Sequence, residues 1–142
     1  MKCLHLTAAF MLLATPLHAL ESDKTTAAIV VTPVLTTSVT ASGQPIILPQ
    51  KSPQVAVSIY DIAPGATLPQ HKHPYPRYGY VLTGILRVTN LDTGKSDTYG
   101  PGSFILEAID QWHQGANIGS DPIKLLVIDQ VEKDQNNVVL RK

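Results

Sequence analysis

The side chains best equipped for chemistry in this sequence fall into two clusters. The first runs Gly65-Ala66-Thr67-Leu68-Pro69-Gln70-His71-Lys72-His73. His-x-His has a mechanical meaning on a strand. Residues i and i+2 point to the same face, so both imidazoles project into one space, as two ligands of one metal must. The second cluster runs from Gly102 to Asn117 and holds Glu107, Trp112 and His113, so a distant strand supplies a third imidazole. Three neutral imidazoles plus water form a competent open site for a divalent transition metal.

These residues need strands to position them, and the surrounding pattern supplies strands. Val55, Val57 and Ile59 alternate with Ala56, Ser58 and Tyr60, the period of a half-buried strand, which Pro64-Gly65 ends. A second run, Tyr78 to Asn90, is broken at Thr83-Gly84, where a turn or sharp bend is expected. It meets Leu91-Asp92-Thr93-Gly94-Lys95, a hairpin signal with Gly94 free to take positive φ. Further runs at Ser103 to Glu107, Lys124 to Val131 and Val138 to Leu140 bring the expected total to at least six strands at short spacing, an all-β sandwich or barrel.

Composition agrees. With 142 residues there is room for one core, and 11 prolines with 9 glycines argue against a helical bundle. The 11 basic and 11 acidic residues cancel, so nothing in the balance attracts nucleic acid or anionic lipid.

Lys2, the apolar stretch Leu4 to Ala14, Pro16 and Leu17-His18-Ala19 read as a secretory signal peptide cut after Ala19. A membrane anchor is the alternative, but His5, Thr7 and Thr15 shorten a run that needs about 20 apolar residues to span a bilayer. Cleavage would remove Cys3, the single cysteine, and with it any disulfide or thiolate ligand. It would also leave His71, His73 and His113 as the histidines of a periplasmic or secreted chain with no membrane attachment. The expected organisation is a signal peptide over 1–19, an N-terminal arm or linker over 20–53 and a barrel over 54–142. In the arm, Ile29-Val30-Val31-Thr32 could add an edge strand or pair with another subunit. Exposed strand edges and this arm make a homodimer the expected state.

Together the two clusters resemble the paired motifs of the cupin superfamily, small β-barrels that carry a metal among their inner side chains. The family's first motif runs Gly, five residues, His-x-His, three or four residues, Glu, six residues, Gly, and Gly65, His71, His73 and Gly84 fall in register. The second runs Gly, five residues, Pro-x-Gly, two residues, His, three residues, Asn, matched in spacing by Gly102, His113 and Asn117. The resemblance covers roughly Val55 to Val131 and implies a jelly-roll-like barrel with an extended N-terminal arm and one divalent transition metal on His71, His73 and His113. Iron or manganese is favoured, with zinc, nickel or copper also admitted.

The departures are informative. Arg77 stands where the family has its metal-binding Glu, Ala108 replaces the Pro and Asp110 the second Gly. A guanidinium cannot ligate a cation. Arg77 therefore either pairs with a substrate carboxylate beside the metal or forms a structural ion pair with Glu107 or an exposed acid. Without the family's carboxylate the site would be less anionic and more open to a bound anion. Glu107 is one of three glutamates from Glu21 onward and lies in an apolar run. It could lean inward as a substitute ligand or proton-transfer group, which makes it with Arg77 the candidate catalytic pair. The blander alternative, and the one expected here, is a strand-end residue facing solvent or Arg77.

Asn117 is expected to secure a turn. Tyr78 and Tyr80, opposite Arg77 and Val81 in the alternation, are expected to pack outside, and Tyr75, between two prolines, to rim a pocket. Trp112 is expected in the core or a subunit contact, or else at the mouth, stacking on a planar substrate. The leading functional expectation is an oxidoreductase of the oxygen-dependent dioxygenase type acting on a small, anionic molecule. A nonenzymatic module that binds a small ligand or metal and a redox-neutral isomerase or lyase are the alternatives.

Overall fold

A computed structural model of the protein describes residues 29–142. The proposed signal peptide lies outside the described residues. The chain divides into a unit ending at Val31 and a compact unit from Thr32 to Lys142. All nine strands lie in the second unit: β1 (Pro53–Ile62), β2 (His71–Lys72), β3 (Arg77–Thr83), β4 (Leu86–Asn90), β5 (Ser96–Tyr99), β6 (Phe104–Leu106), β7 (His113–Asn117), β8 (Ile123–Glu132) and β9 (Val139–Leu140). They form two antiparallel sheets, one in the order β1-β8-β3-β6 and the other β5-β4-β7-β2-β9. No helix occurs among the described residues, in keeping with the expected all-β barrel.

The core follows from the alternation of β8. Ile123, Leu125, Val127 and Val131 point inward and are buried, and Ile62, Val81, Leu86 and Ile105 join them from neighbouring strands. Each such side chain contributes about 1.5–3 kcal/mol by leaving water. Thr83-Gly84 makes the expected bend between β3 and β4. Gly84 has φ +79°, and a Cβ there would lie 2.8 Å from the Ile123 Cα, so glycine is required on two counts. Gly94 takes positive φ in the β4–β5 hairpin as its sequence signal implied.

β1 corrects one expectation. The strand is present, but Val55, Val57 and Ile59 are 58%, 61% and 48% exposed, and burial begins at Tyr60 and Ile62. β1 is an edge strand paired only with β8, and its odd-numbered residues share the outer face with the even-numbered residues of β8. Alternation reports two different faces; it does not say which of them a second layer covers.

The arm from Thr32 to Ser52 contributes no strand of its own, although Ile29-Val30-Val31-Thr32 suggested one. Its ordered feature is a closed turn. Thr40 N–H donates to the Gln44 carbonyl at 2.9 Å, Gly43 N–H to the Thr40 carbonyl at 2.9 Å and Ile46 N–H to the Ser38 carbonyl at 3.1 Å.

Candidate metal centre

The four residues that meet inside the barrel arrive from different elements. β2 pairs with β7 so that His71 lies directly opposite His113. His73 lies just past β2, bridged to Ile109, with its carbonyl accepting from Asp110 N–H at 2.8 Å. Glu107 follows β6 in the other sheet, its N–H donating to the Arg77 carbonyl at 2.9 Å. The three imidazole centroids are 4.5–4.9 Å apart, and one candidate ligand atom from each of the four residues lies within 4.8 Å of the rest. His71, His73 and His113 are buried. The group could hold a metal ion.

Backbone carbonyls fix the tautomers. Nδ1 of His71 lies 2.7 Å from the Pro69 carbonyl, that of His73 2.5 Å from the Asn137 carbonyl and that of His113 2.8 Å from the Gln111 carbonyl. A carbonyl oxygen only accepts, so each Nδ1 carries the proton and each Nε2 is left with its lone pair. His73 Nε2 and His113 Nε2 stand 3.2 and 3.0 Å from Glu107 Oε2, yet neither has a hydrogen-bond partner. Buried lone pairs facing a carboxylate oxygen repel unless a positive species lies between them, and a proton or a metal cation would both serve.

The electrostatics favour ligation. Burial, reinforced by the charges of His113 and His73 and opposed by the hydrogen bond to Pro69, lowers His71 from 6.5 to about 4, which keeps it neutral. Burial would raise Glu107, but the nearness of His113 and His73 outweighs it and holds the carboxyl well below its usual range. Burial would lower His113, and Glu107 overrides it in the opposite direction. The ionised carboxylate and the neutral imidazole of His71 are the protonation states a metal needs.

The blander reading of Glu107 is therefore corrected. It faces neither solvent nor Arg77 but His73 and His113. Arg77 is buried and makes a two-pronged pair with Asp129, Nε to Oδ1 at 2.7 Å and Nη2 to Oδ2 at 2.8 Å. The two residues are direct cross-strand neighbours on β3 and β8. The guanidinium also lies over the Tyr60 ring and borders a small void shared with His71, Glu107 and His113. Its acid is neither of those the sequence suggested, because the pairing depends on strand register. Glu107 also supplies the negative charge that a site with Arg77 at the family's Glu position would lack.

Three contributors escaped the sequence. Asn137 is buried; its carbonyl accepts from His73 Nδ1, its Oδ1 from Tyr75 N–H at 2.8 Å, and its Nδ2 donates to Asp129 Oδ1 at 2.6 Å. One residue, through its backbone carbonyl and its side-chain amide, thus ties His73 to the Arg77–Asp129 pair. Tyr99 lines a cavity beside Glu107 and His113, and burial, with the charges of Asp97 and Glu107, raises its phenol, so the O–H persists as a donor. The third is Gln44, in the arm. No spacing rule points at any of them, and Asn137 and Gln44 act across a long stretch of chain.

Other expectations meet the structure as follows. Asn117 secures a turn, donating to the Ile62 and Asp121 carbonyls and accepting from Gly119 N–H. Tyr78 and Tyr80 sit on the outer side of β3 near Phe104. Tyr75 borders a groove against arm residues Pro45, Ile47, Leu48, Pro49 and Gln50, and none of the three histidines lines it. Trp112 lies between the cations of Lys72 and Arg141. Asp110 replaces the family's second Gly yet keeps a glycine-like backbone, with φ +55°, and pairs with Lys72 at 3.0 Å.

Beside the histidines opens a cavity of about 370 Å3, lined by Val88, Asn90, Tyr99, Ile105, Glu107 and His113, with Ala41 and Ser42 of the arm on one wall. Such a volume suits a small molecule.

Among solved structures, the fold is similar to the polyketide cyclase RemF from Streptomyces resistomycificus, with 22% identity, a TM-score of 0.52 and 62% of each chain covered. It is similar to an oxalate oxidase in complex with the substrate analogue glycolate, with 27% identity and a TM-score of 0.51 over 61% of this chain and 45% of that one. An oxalate decarboxylase from Lactobacillus farciminis matches at 21% identity and a TM-score of 0.52, over 61% of this chain and 26% of that one. This chain thus spans less than two thirds of each of those proteins. Curated proteins include no match to the sequence. The cupin domain family pattern matches residues 58–129, from β1 through the Asp129 that holds Arg77, and on that match and the barrel it describes the chain belongs to the cupin superfamily.

Proposed function

We propose that His71, His73, His113 and Glu107 hold one divalent transition metal, iron or manganese by preference, and that the protein is an exported oxidoreductase of the dioxygenase type acting on a small carboxylate. The observation that carries the metal assignment is the pair of buried Nε2 atoms aimed at the Glu107 carboxylate with no hydrogen-bond partner. The ion, when bound, would supply Lewis acidity and redox chemistry. The chain does the rest. The three carbonyls hold the imidazoles in the ligating tautomer, and the barrel keeps bulk water from them. The Tyr99 hydroxyl donates a hydrogen bond to a molecule in the cavity.

A divalent ion with one carboxylate leaves the ligand set at a net charge of +1, which favours an anionic substrate. Arg77, neutralised by Asp129, acts as a positioning group behind the ligands rather than as a hand that grips the substrate. The likeness to an oxalate oxidase bound to glycolate supports a small carboxylate as substrate.

Two assays test this reading. Elemental analysis of the purified protein should find a near-stoichiometric redox-active metal that is lost from the His71→Ala/His73→Ala double variant. Oxygen uptake should then follow addition of oxalate or glycolate. Metal without oxygen uptake would shift the assignment to a redox-neutral enzyme or a binding module, and a folded, metal-free protein would end it. Export and a homodimer complete the proposal. The first is checked by the N-terminal residue of the secreted product, expected to be Leu20.

A further inference from the structure

Glu107 lies one residue beyond β6, past the last ladder position of its own strand, and the arm holds the chain on both sides of it. On one side, Ala41 N–H donates to the Leu106 carbonyl at 2.8 Å. On the other, the Gln44 side chain takes both backbone groups of Ile109: Nε2 donates to the carbonyl at 2.7 Å, and Oε1 accepts from the N–H at 2.9 Å. The primary amide behaves here as one residue of an added strand, satisfying a donor and an acceptor together. It is itself braced, since the Ser42 hydroxyl donates to Gln44 Oε1 at 2.7 Å and Thr40, which closes the turn, is buried. Residues 106 and 109 are thereby fixed, and with them the reach of the carboxylate between.

We infer that the Thr40–Gln44 turn is a positioning device for Glu107, and that Gln44 sets how tightly the site holds a divalent cation. The inference rests on the metal-site reading above. It gives the arm a task in the chemistry: a carboxylate placed outside the family's usual position needs its own support, and the arm supplies it through contacts that span 65 residues of sequence.

The test is a double-mutant cycle on the full chain, with Mn2+ and Zn2+ affinities measured by competition with a chelating dye for wild type, Gln44→Ala, Glu107→Gln and the double variant. Gln44→Ala is expected to weaken binding by roughly 10-fold, within the range for loss of a ligand's outer support. In the Glu107→Gln background the same change should cost almost nothing, because the group it positions is already gone. Gln44 also touches Ile109, which bridges His73. If it acted through His73, or only on general stability, its effect would persist undiminished in the Glu107→Gln background, and the proposal would be overturned. An unweakened Gln44→Ala beside a weakened Glu107→Gln would overturn it as well, leaving the metal site intact. A wild type that binds neither ion would instead remove the metal-site reading and this inference together. Should Gln44→Ala fail to fold, Gln44→Glu keeps the acceptor for Ile109 N–H but loses the donor to its carbonyl, and the same cycle is read on it.

Discussion

His71 carries the clearest pH signature. Its folded-state pKa lies near 4 against 6.5 in the unfolded chain, so between those values the unfolded state binds a proton that the folded state refuses. Stability from this group is therefore complete above pH 6.5 and falls as the pH drops towards 4, with a slope of at most about 1.4 kcal/mol per pH unit. Urea denaturation of the chelator-treated protein should show wild type losing ground to His71→Asn over that window. A wild-type-minus-variant difference that stays flat with pH would remove the assignment. At this scale the histidines were legible from spacing, because i, i+2 geometry on a strand leaves little freedom. Glu107 and Arg77 were not: their partners depend on where β6 ends and how β3 registers against β8.

Local backbone chemistry explains how an atypical motif still builds the family's loop. Asp110 holds φ +55° where glycine is usual, a conformation that Asp tolerates better than most residues and a β-branched side chain tolerates badly. Asp110→Val should destabilise the protein by about 1–2 kcal/mol through backbone strain, with the lost Lys72 ion pair adding little because it is exposed. Asp110→Gly should cost less than half as much by thermal denaturation. Equal losses in the two variants would mean that the side chain, not the dihedral angle, matters there. The strands themselves were largely readable, since alternation and the Gly and Pro breaks fall where the ladders do. The short β2 was legible only through its histidines, and the fixed turn of the arm not at all, because its partners, Leu106 and Ile109, lie far along the chain.

The whole unit presents an outer sheet face that is strongly apolar. Val55, Val57 and Ile59 of β1 adjoin Ile128 and Leu126 of β8, followed by Tyr78 and Tyr80 of β3. Arm residues Val34, Leu35 and Ile46 border the β6 side of this face, while on the β1 side Val55, Val57 and Ile59 are exposed among the described residues. Lys124 and Glu132 stand at opposite ends of β8 on the same face. A two-fold axis near Ile128 would set Lys124 of one protomer opposite Glu132 of its partner, a self-complementary arrangement. The proposed homodimer is thus expected to form there. Light scattering should give twice the chain mass for the wild type and a monomer for Val57→Lys/Ile128→Lys, whereas a wild-type monomer would remove the proposal.

The order of synthesis gives the Asn137 contact a further meaning. His71 and His113 take their tautomers from carbonyls two residues upstream, so each has its partner within its own segment. His73 waits for a residue 64 positions later. A ribosome or a secretion channel delivers the chain from its N-terminus, and the third imidazole cannot be locked until Asn137 has emerged. A metal ion met before then would find the third imidazole without the carbonyl that fixes its tautomer. Secure loading then follows the emergence of Asn137, in whichever compartment that segment folds.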